Sequence, residues 1–357
     1  MQVKSNIKIM YITKLKDSMA NGVTVAVTQL LNSICKYANI GWLDLGNSQF
    51  DVNPDIIRFN KNNWKDFNAD IVVFEDPFNT VEFCRIAKQL RKDNIPYVIS
   101  PHGCFEKVAL QKKALKKYIA IKILYRRYLN GCYATQYLCD SECNNSMQFN
   151  EHIVIPNGIP DNEAYKVKHS VNNIVFIGRK DVRHKGIDYL LEAVCKIKLP
   201  LKKRGVHIAL YGSIESEADE GFIDGYIKEH NLGSLVSNNG PVFGIQKERV
   251  LLDADMFILT SRHEGFPMSI LEALSYGLPV LITNGTNMDG IVKDAGAGWT
   301  CRTDVDEIAA TLLNTLDCFD CSDISRNARK LSIEYSWDKV SQMTVDKYSE
   351  IIKKKRG

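Results

Sequence analysis

Short apolar runs alternate along the chain with stretches whose apolar residues recur at helical spacing. In the first half Ile7–Ile12, Ile71–Phe74, Tyr97–Ser100, Gln136–Cys139 and Ile153–Ile155 read as strands. Val23–Tyr37, Thr80–Lys92, Glu106–Asn130 and Glu142–Asn150 read as helices between them. That alternation predicts βαβ units and a largely parallel sheet. Ile155-Pro156-Asn157-Gly158-Ile159-Pro160 interrupts it, residues 161–170 are polar, and a fresh strand starts near Asn173. The alternation then resumes, with strands at Ile174–Ile177, Val206–Tyr211, Asp255–Leu259 and Pro279–Ile282 and helices at Ile187–Ile197, Glu217–His230 and Lys247–Leu252. The expected architecture is α/β, two doubly wound domains over residues 1–165 and 166–335, with ligands bound in a cleft between the carboxyl ends of their sheets. Ser336 is a fitting N-cap for a last helix over residues 336–357.

Composition sharpens this only modestly. The 357 residues are 45% apolar and 25% charged, an ordinary soluble globular mix. The N-terminal stretch lacks the apolar core of a signal peptide, and no run approaches the ~20 apolar residues of a membrane-spanning helix. The ten cysteines are scattered as buried free thiols would be in a reducing cytosol. Cys318-Phe319-Asp320-Cys321 has no second ligand pair at metal-binding spacing. The net charge of +4 is uneven: residues 1–160 hold 20 Lys and Arg against 14 Asp and Glu, a surplus of +6, which leaves −2 for the rest.

The chemistry concentrates in Glu264-Gly265-Phe266-Pro267-Met268-Ser269-Ile270-Leu271-Glu272. Pro267 suits the first turn of a helix, and Ile270, Leu271 and Leu274 continue at helical spacing. Glu264 should then sit at a strand tip beside a helix N-terminus, with Glu272 more than one turn along that helix. Upstream, Gly178-Arg179 ends a strand and His184-Lys185-Gly186 opens a helix. Arg can bind two phosphate oxygens at once and Lys supplies a point charge, which suits a diphosphate. Asn21-Gly22-Val23 is not a dinucleotide fingerprint but lets a backbone approach a phosphate at a helix start.

These strings, in this order, resemble family 4 retaining glycosyltransferases of the GT-B fold (glycosyl transferases group 1). The resemblance implies two Rossmann-like domains facing a central cleft, an N-terminal acceptor side, a C-terminal nucleotide-sugar side, and a terminal helix crossing back to the first domain. It makes Arg179 and Lys185 the diphosphate holders, Glu264 the partner of the donor sugar, and Glu272 the acceptor from the ribose hydroxyls. Gly265, Phe266, Pro267, Met268 and Ser269 would supply backbone contacts, as would Gly22 and the segment at Val242 and Phe243 near the base. His102, in Ser100-Pro101-His102-Gly103, would lie by the donor sugar. Glu264, Arg179, Lys185 and His102 form the expected catalytic set. Asp253-Ala254-Asp255 looks like a metal-binding DxD, but the resemblance places it at the start of a buried strand. No metal and no cofactor is expected beyond the nucleotide-sugar co-substrate, UDP-sugar first and GDP-mannose second on family frequency.

Residues 107–127 carry Lys107, Lys112, Lys113, Lys116, Lys117, Lys122, Arg126 and Arg127 with apolar residues interleaved and no acid. Such a helix either lies on an anionic membrane surface or packs on the sheet with its charges in water. The first would suit a lipid-linked saccharide acceptor in surface-polysaccharide synthesis and a peripheral place on the cytoplasmic face of the plasma membrane. No nucleic-acid motif is present. A GT-B sugar-nucleotide epimerase and a non-catalytic sugar-nucleotide binder remain the alternatives.

Overall fold

The structure is a computed structural model that describes residues 4–15, 22–46, 48, 50–75, 77–78, 81–106, 120–162, 164–317 and 320–356. The chain divides into two compact units, Met1–Gly158 with Ser336–Gly357, and Ile159–Tyr335.

The first unit is built on seven parallel strands in the order β3-β2-β1-β4-β5-β6-β7. These are β1 Lys8–Thr13, β2 Asn39–Asp44, β3 Ile57–Arg58, β4 Ile71–Glu75, β5 Tyr97–Ser100, β6 Ala134–Tyr137 and β7 Glu151–Val154. Helices α1 Gly22–Ile34, α2 Val81–Lys92, α3 Arg126–Leu129 and α4 Asp140–Asn145 connect them, with a wide helical turn, Ala120–Tyr125, leading into α3. The core on the α2 side is aromatic: Phe74 packs edge-on against Tyr97 and Tyr128, with ring centroids 5.5 and 5.3 Å away. The Tyr97 hydroxyl donates to the Tyr128 carbonyl at 2.6 Å, so its polar end is satisfied inside that core.

Two helix expectations are corrected here. Glu106 does not open a helix; it bridges to Ser146 as an isolated extended pair. That bridge also stops α4 at Asn145, where Ser146 turns extended and pairs across instead of continuing to Asn150. Lys107, Lys112, Lys113, Lys116 and Lys117, as well as Asn21 and Cys318, lie outside the described residues.

The second unit carries six parallel strands in the order β10-β9-β8-β11-β12-β13. They are β8 Asn173–Ile177, β9 His207–Tyr211, β10 Val236–Asn239, β11 Met256–Leu259, β12 Val280–Thr283 and β13 Gly298–Cys301. Its helices are α5 Ile187–Lys196, α6 Lys198–Lys203, α7 Glu217–Glu229, α8 Gly244–Asp253, α9 Met268–Ser275, α10 Asp289–Ala295, α11 Val305–Leu316 and α12 Ser322–Glu334. The last helix, α13 Trp337–Arg356, belongs to the first unit. There Trp337 donates its indole N–H to Gln29 at 2.9 Å, and Tyr348 donates to Gln136 at 2.5 Å from a fully buried position. Ser336 caps it, accepting from the Lys339 amide at 3.4 Å.

Both sheets therefore reverse strand order once, between β1 and β4 and between β8 and β11. At such a reversal two strand-end loops diverge and leave a crevice at the carboxyl ends. In the second unit the crevice is narrowed by one glycine. Gly186 has φ +64°, and a Cβ there would lie 2.0 Å from the Thr260 carbonyl oxygen. Only glycine lets the loop after β8 touch the backbone that leaves β11.

Gly186→Ala should accordingly destabilise the chain by about 2 kcal/mol or more, from left-handed backbone strain plus the clash. Gly290→Ala is the control: it sits in α10 with nothing within 4 Å of the added methyl and should be neutral or gain up to about 1 kcal/mol. Thermal melts of the two variants check this, and equal melting temperatures would contradict it.

Candidate functional site

The second unit's crevice gathers most of the expected residues. Arg179 and Lys185 come from the loop between β8 and α5, and Glu264 from the loop between β11 and α9. Lys185 Nζ meets Glu264 Oε1 at 2.5 Å, with both side chains largely buried. Ser261 Oγ donates to the same oxygen at 2.6 Å. The Glu264 backbone is held as well: its N–H donates to the Gly285 carbonyl at 2.8 Å, and the Asn287 side-chain amide donates to its carbonyl at 2.5 Å. Gly285 lies so close to Ser261 that a Cβ would come within 2.3 Å of the Ser261 carbonyl oxygen. Arg262 ties this loop to α5 through a two-pronged pair with Asp188 at 2.7 and 2.8 Å. Its guanidinium stacks 3.7 Å from the Tyr189 ring. The carboxylate is thus held by two side-chain donors on one oxygen, while the backbone beneath it is fixed at both its N–H and its carbonyl.

Arg179 is more loosely held. It pairs with Glu215 at 2.6 Å, with side chains 50% and 43% exposed. An exposed pair of this kind contributes about 0–1 kcal/mol, so a phosphate can displace Glu215 cheaply. Removing one partner of a buried pair such as Lys185–Glu264 costs about 3–5 kcal/mol. A ligand oxygen should therefore join Lys185 beside Glu264 rather than take it away.

Pro267 is the N-cap of α9, with extended backbone, and the helix starts at Met268; it does not occupy the first turn as expected. Phe266 is buried, its ring 5.8 Å from Tyr335. No acidic residue stands in the first turn of α9, so its N-terminal dipole is uncompensated there. Glu272 lies in the second turn and forms an ion pair with Lys247 of α8. Phe243, the N-cap of α8, is 64% exposed, and Val242 precedes it. Lys247 thereby links the Val242–Phe243 segment to Glu272.

His184 stands among these charges, with Glu264, Lys185 and Arg179 all acting on it. Its Nδ1 is buried without a hydrogen-bond partner. Burial, only partly offset by Glu264, pushes its pKa below the ordinary value. Asp253 and Asp255 do not converge. Asp253 pairs with Lys166 at 3.3 Å, whereas Asp255 accepts the backbone N–H groups of Asn172 and Asn173 at 3.0 and 2.8 Å, capping the start of β8.

Two expected residues lie in the first unit. Gly22 is the first residue of α1, with nothing within 4 Å of an added Cβ. His102 follows β5, with φ +48° and a side chain only 8% exposed. Its Nε2 lies 2.5 Å from Glu75 Oε2 and 3.3 Å from Ser100 Oγ. Glu142 anchors the next residue, accepting from the Gly103 amide at 2.6 Å and from the Leu138 amide at 2.6 Å.

Comparison with known proteins places this arrangement. Residues 171–318 match the family model of "Glycosyl transferases group 1". This segment is a glycosyl transferases group 1 domain. Over 205 residues the chain is 26% identical to MMP alpha-(1->4)-mannosyltransferase of Mycolicibacterium hassiacum, covering 56% of this chain and 48% of that protein. It is 23% identical over 322 residues to GDP-mannose:cellobiosyl-diphosphopolyprenol alpha-mannosyltransferase of Xanthomonas oryzae pv. oryzae, covering 86% and 79% respectively. The chain spans about half the length of the first of these relatives. Among solved structures, sucrose-phosphate synthase from Thermosynechococcus elongatus superposes with a TM-score of 0.72 at 16% identity, over 97% of this chain and 99% of that one. WaaG, a glycosyltransferase involved in lipopolysaccharide biosynthesis, gives 0.67 at 13%, over 95% and 98%. The GT-B fold is therefore shown. The group 1 domain holds Arg179, Lys185, Glu264 and Glu272, together with residues that motif reading passed over. Glu215, Lys247, Ser261 and Asn287 were silent because single polar residues in loops or on a helix face carry no spacing signal.

Stability should carry the mark of His184. The unfolded chain takes up a proton near pH 6.5 that the folded site resists, so this residue's contribution is present above that pH and is lost as pH falls below it. Between pH 7.5 and 5.5, His184→Asn should lose less stability than the unmodified chain, by up to about 1.4 kcal/mol. Urea unfolding at both pH values reads the difference, and parallel losses would show that His184 titrates normally.

Proposed function

We propose that the chain transfers a sugar from a nucleotide diphosphate sugar to a hydroxyl acceptor, with retention at the anomeric carbon. The observation that carries the reading is the Lys185–Glu264 contact at a strand-order reversal, with Arg179 in the same loop. Cations for a diphosphate and a fixed carboxylate for a sugar hydroxyl are thereby presented together. Arg179, Lys185 and the N-terminus of α9 stabilise the charge that grows on the departing diphosphate, the kind of preorganised effect that is often the largest catalytic term. Glu264 accepts from the donor sugar, Gly265 to Ser269 border it, and Glu272 accepts from the ribose. Val242 and Phe243 border the base. No side chain in this set is placed as a nucleophile, so the leaving phosphate oxygen takes the acceptor proton in a front-face substitution. The cations do the work of a divalent ion, and no metal is called for. The relative that spans most of this chain is named for GDP-mannose, which moves GDP-mannose ahead of UDP-sugar as the donor to try first.

The acceptor is a saccharide carried on a polyprenyl diphosphate, the class named in that same relative. The first unit offers a surface that would meet such an acceptor at a membrane. Ile123 and Leu124 are 78% and 50% exposed, flanked by exposed Lys122, Arg126 and Arg127. The neighbouring α2 adds exposed Arg85 and Lys88, and Arg91 donates to the Arg127 carbonyl at 2.9 Å. Basic residues around exposed aliphatic side chains suit an anionic lipid surface and a peripheral place on the cytoplasmic face. No helix among the described residues is long and apolar enough to cross a membrane.

Donor binding tests the core of the reading. Arg179→Ala should weaken binding of the matching nucleoside diphosphate by about 10- to 150-fold, the loss of one charge-assisted contact of about 1.5–3 kcal/mol. Isothermal titration reads this, and unchanged affinity would remove Arg179 from the diphosphate. In an assay without acceptor, free sugar plus nucleoside diphosphate supports the transferase. An isomerised sugar nucleotide would indicate an epimerase instead, and tight binding without turnover a sensor.

Membrane contact is tested separately. Lys122→Glu with Arg126→Glu and Arg127→Glu should release the chain from anionic vesicles with its melting temperature nearly unchanged, since these side chains are exposed. Co-sedimentation that does not distinguish the triple variant from the parent would refute the surface.

A further inference from the structure

We infer that Lys180 is a positioning residue for a bound nucleoside diphosphate: its buried side chain ties the loop that carries Arg179 to the segment that carries Val242 and Phe243, and so sets the span between diphosphate and base. The consequence for binding rests on the roles proposed above for Arg179, Val242 and Phe243; the brace itself does not.

Arg179 and Lys180 are neighbours whose side chains part company. The chain is extended there, with Lys180 bridged in parallel to Ile214 and its amide donating to the Ser213 carbonyl at 2.7 Å. Successive side chains of an extended backbone face opposite ways. Arg179 is accordingly half exposed, whereas Lys180 is 2% exposed. Lys180 reaches past β9, which lies between β8 and β10, to the end of β10. Its Nζ donates to Asn238 Oδ1 at 2.6 Å and to the Asn239 carbonyl at 2.8 Å. The next residue, Gly240, accepts from the Gly212 amide at 3.2 Å. The loops after β8 and β9 are pressed together as well, since a Cβ on Gly212 would lie 1.7 Å from the Gly178 carbonyl oxygen. Three strand ends are thus laced across, and Lys180 is the side chain that joins the outer two.

Burying an ammonium is unfavourable unless it is paired and hydrogen-bonded. Both acceptors in contact with Lys180 are neutral, and burial pushes its pKa down, with Glu220 and Asp224 of α7 acting against that shift. An aliphatic side chain would fill the same space without this penalty. It could not hold the Asn239 carbonyl, one residue before Gly240-Pro241-Val242-Phe243. Gly240, Pro241, Phe243 and Gly244 are exposed, so the segment takes its position from its two ends, β10 and α8. Lys180 fixes the β10 end against the loop of Arg179. A ligand that meets both Arg179 and Phe243 is then read by their separation, and specificity among bases follows from how well each base fits that fixed span.

The test uses the full chain and Lys180→Met, which keeps the side chain's length and removes its donor. Isothermal titration with GDP, UDP, ADP and inorganic pyrophosphate reads binding. The preferred nucleotide should weaken by about tenfold and the spread of affinities among the three nucleotides should shrink by about fivefold, with pyrophosphate changed by less than about twofold. Amide hydrogen exchange reads the brace with no ligand present. The Gly212 amide, which donates to Gly240, and those of Gln246 and Lys247, which donate to Phe243, should exchange about tenfold faster in Lys180→Met, with Met256–Leu259 unchanged. Unchanged exchange at those three amides, an equal loss for all four ligands, or a parent that binds the three nucleotides alike would overturn the inference. Should Lys180→Met not fold, Asn238→Ala removes one of the two acceptors and should act in the same direction. A parent that binds none of the four ligands would count against the donor reading, while exchange would still decide whether Lys180 holds the segment.

Discussion

The contact between Gly186 and the Thr260 carbonyl is the constraint on which the second unit's crevice depends. Strand-order reversal would ordinarily send the loops after β8 and β11 apart. A residue without a side chain, in a conformation other residues rarely adopt, lets the two backbones touch. Lys185, one residue earlier, then reaches Glu264, and Ser261, one residue beyond Thr260, reaches the same carboxylate. The turn at Asn284–Asn287 closes over this loop through Gly285 and Asn287. Each of these contacts is ordinary alone. Together they fix a carboxylate and an ammonium to within a hydrogen bond before any ligand arrives, which is what electrostatic preorganisation requires.

The charges are also graded in how tightly they are held. Lys185 is buried against its partner, Lys247 is intermediate and Arg179 is exposed. The grading sets a division of labour. The buried pair shapes the site, and the exposed Arg–Glu pair is the one that exchanges partners at little cost. The first unit repeats the device with a carboxylate and an imidazole, Glu75 and His102, at the ends of adjacent strands.

Much of this was legible in the sequence, and what was not has physical reasons. Strands such as Ile174–Ile177 and Tyr97–Ser100 announce themselves because buried parallel strands are uninterrupted apolar runs. Asn39–Asp44, Val236–Asn239 and Gly298–Cys301 were missed because edge-side or glycine- and asparagine-bearing strands break that run. The motif acids and cations were found because their spacing is set by strand, loop and helix lengths along a single stretch of chain. Glu215 and Glu75 were not, because each meets its partner across a sheet, and a lone carboxylate says nothing of its neighbour. Pro267 illustrates the limit at one-residue scale: its fixed φ suits both the cap and the first turn, and only the structure distinguishes them.

The first unit is discontinuous. Its last helix, carrying Trp337 and Tyr348, is separated in the chain from the sheet it completes by the whole of the second unit. A chain emerging from the ribosome would therefore finish the second unit while the first still exposed the pocket that α13 fills. Until Tyr348 arrives, Gln136 has no donor from that helix and Tyr11 has no roof. The order of synthesis makes the second unit a self-sufficient body, and makes the first the one whose completion waits on the last segment of the fold.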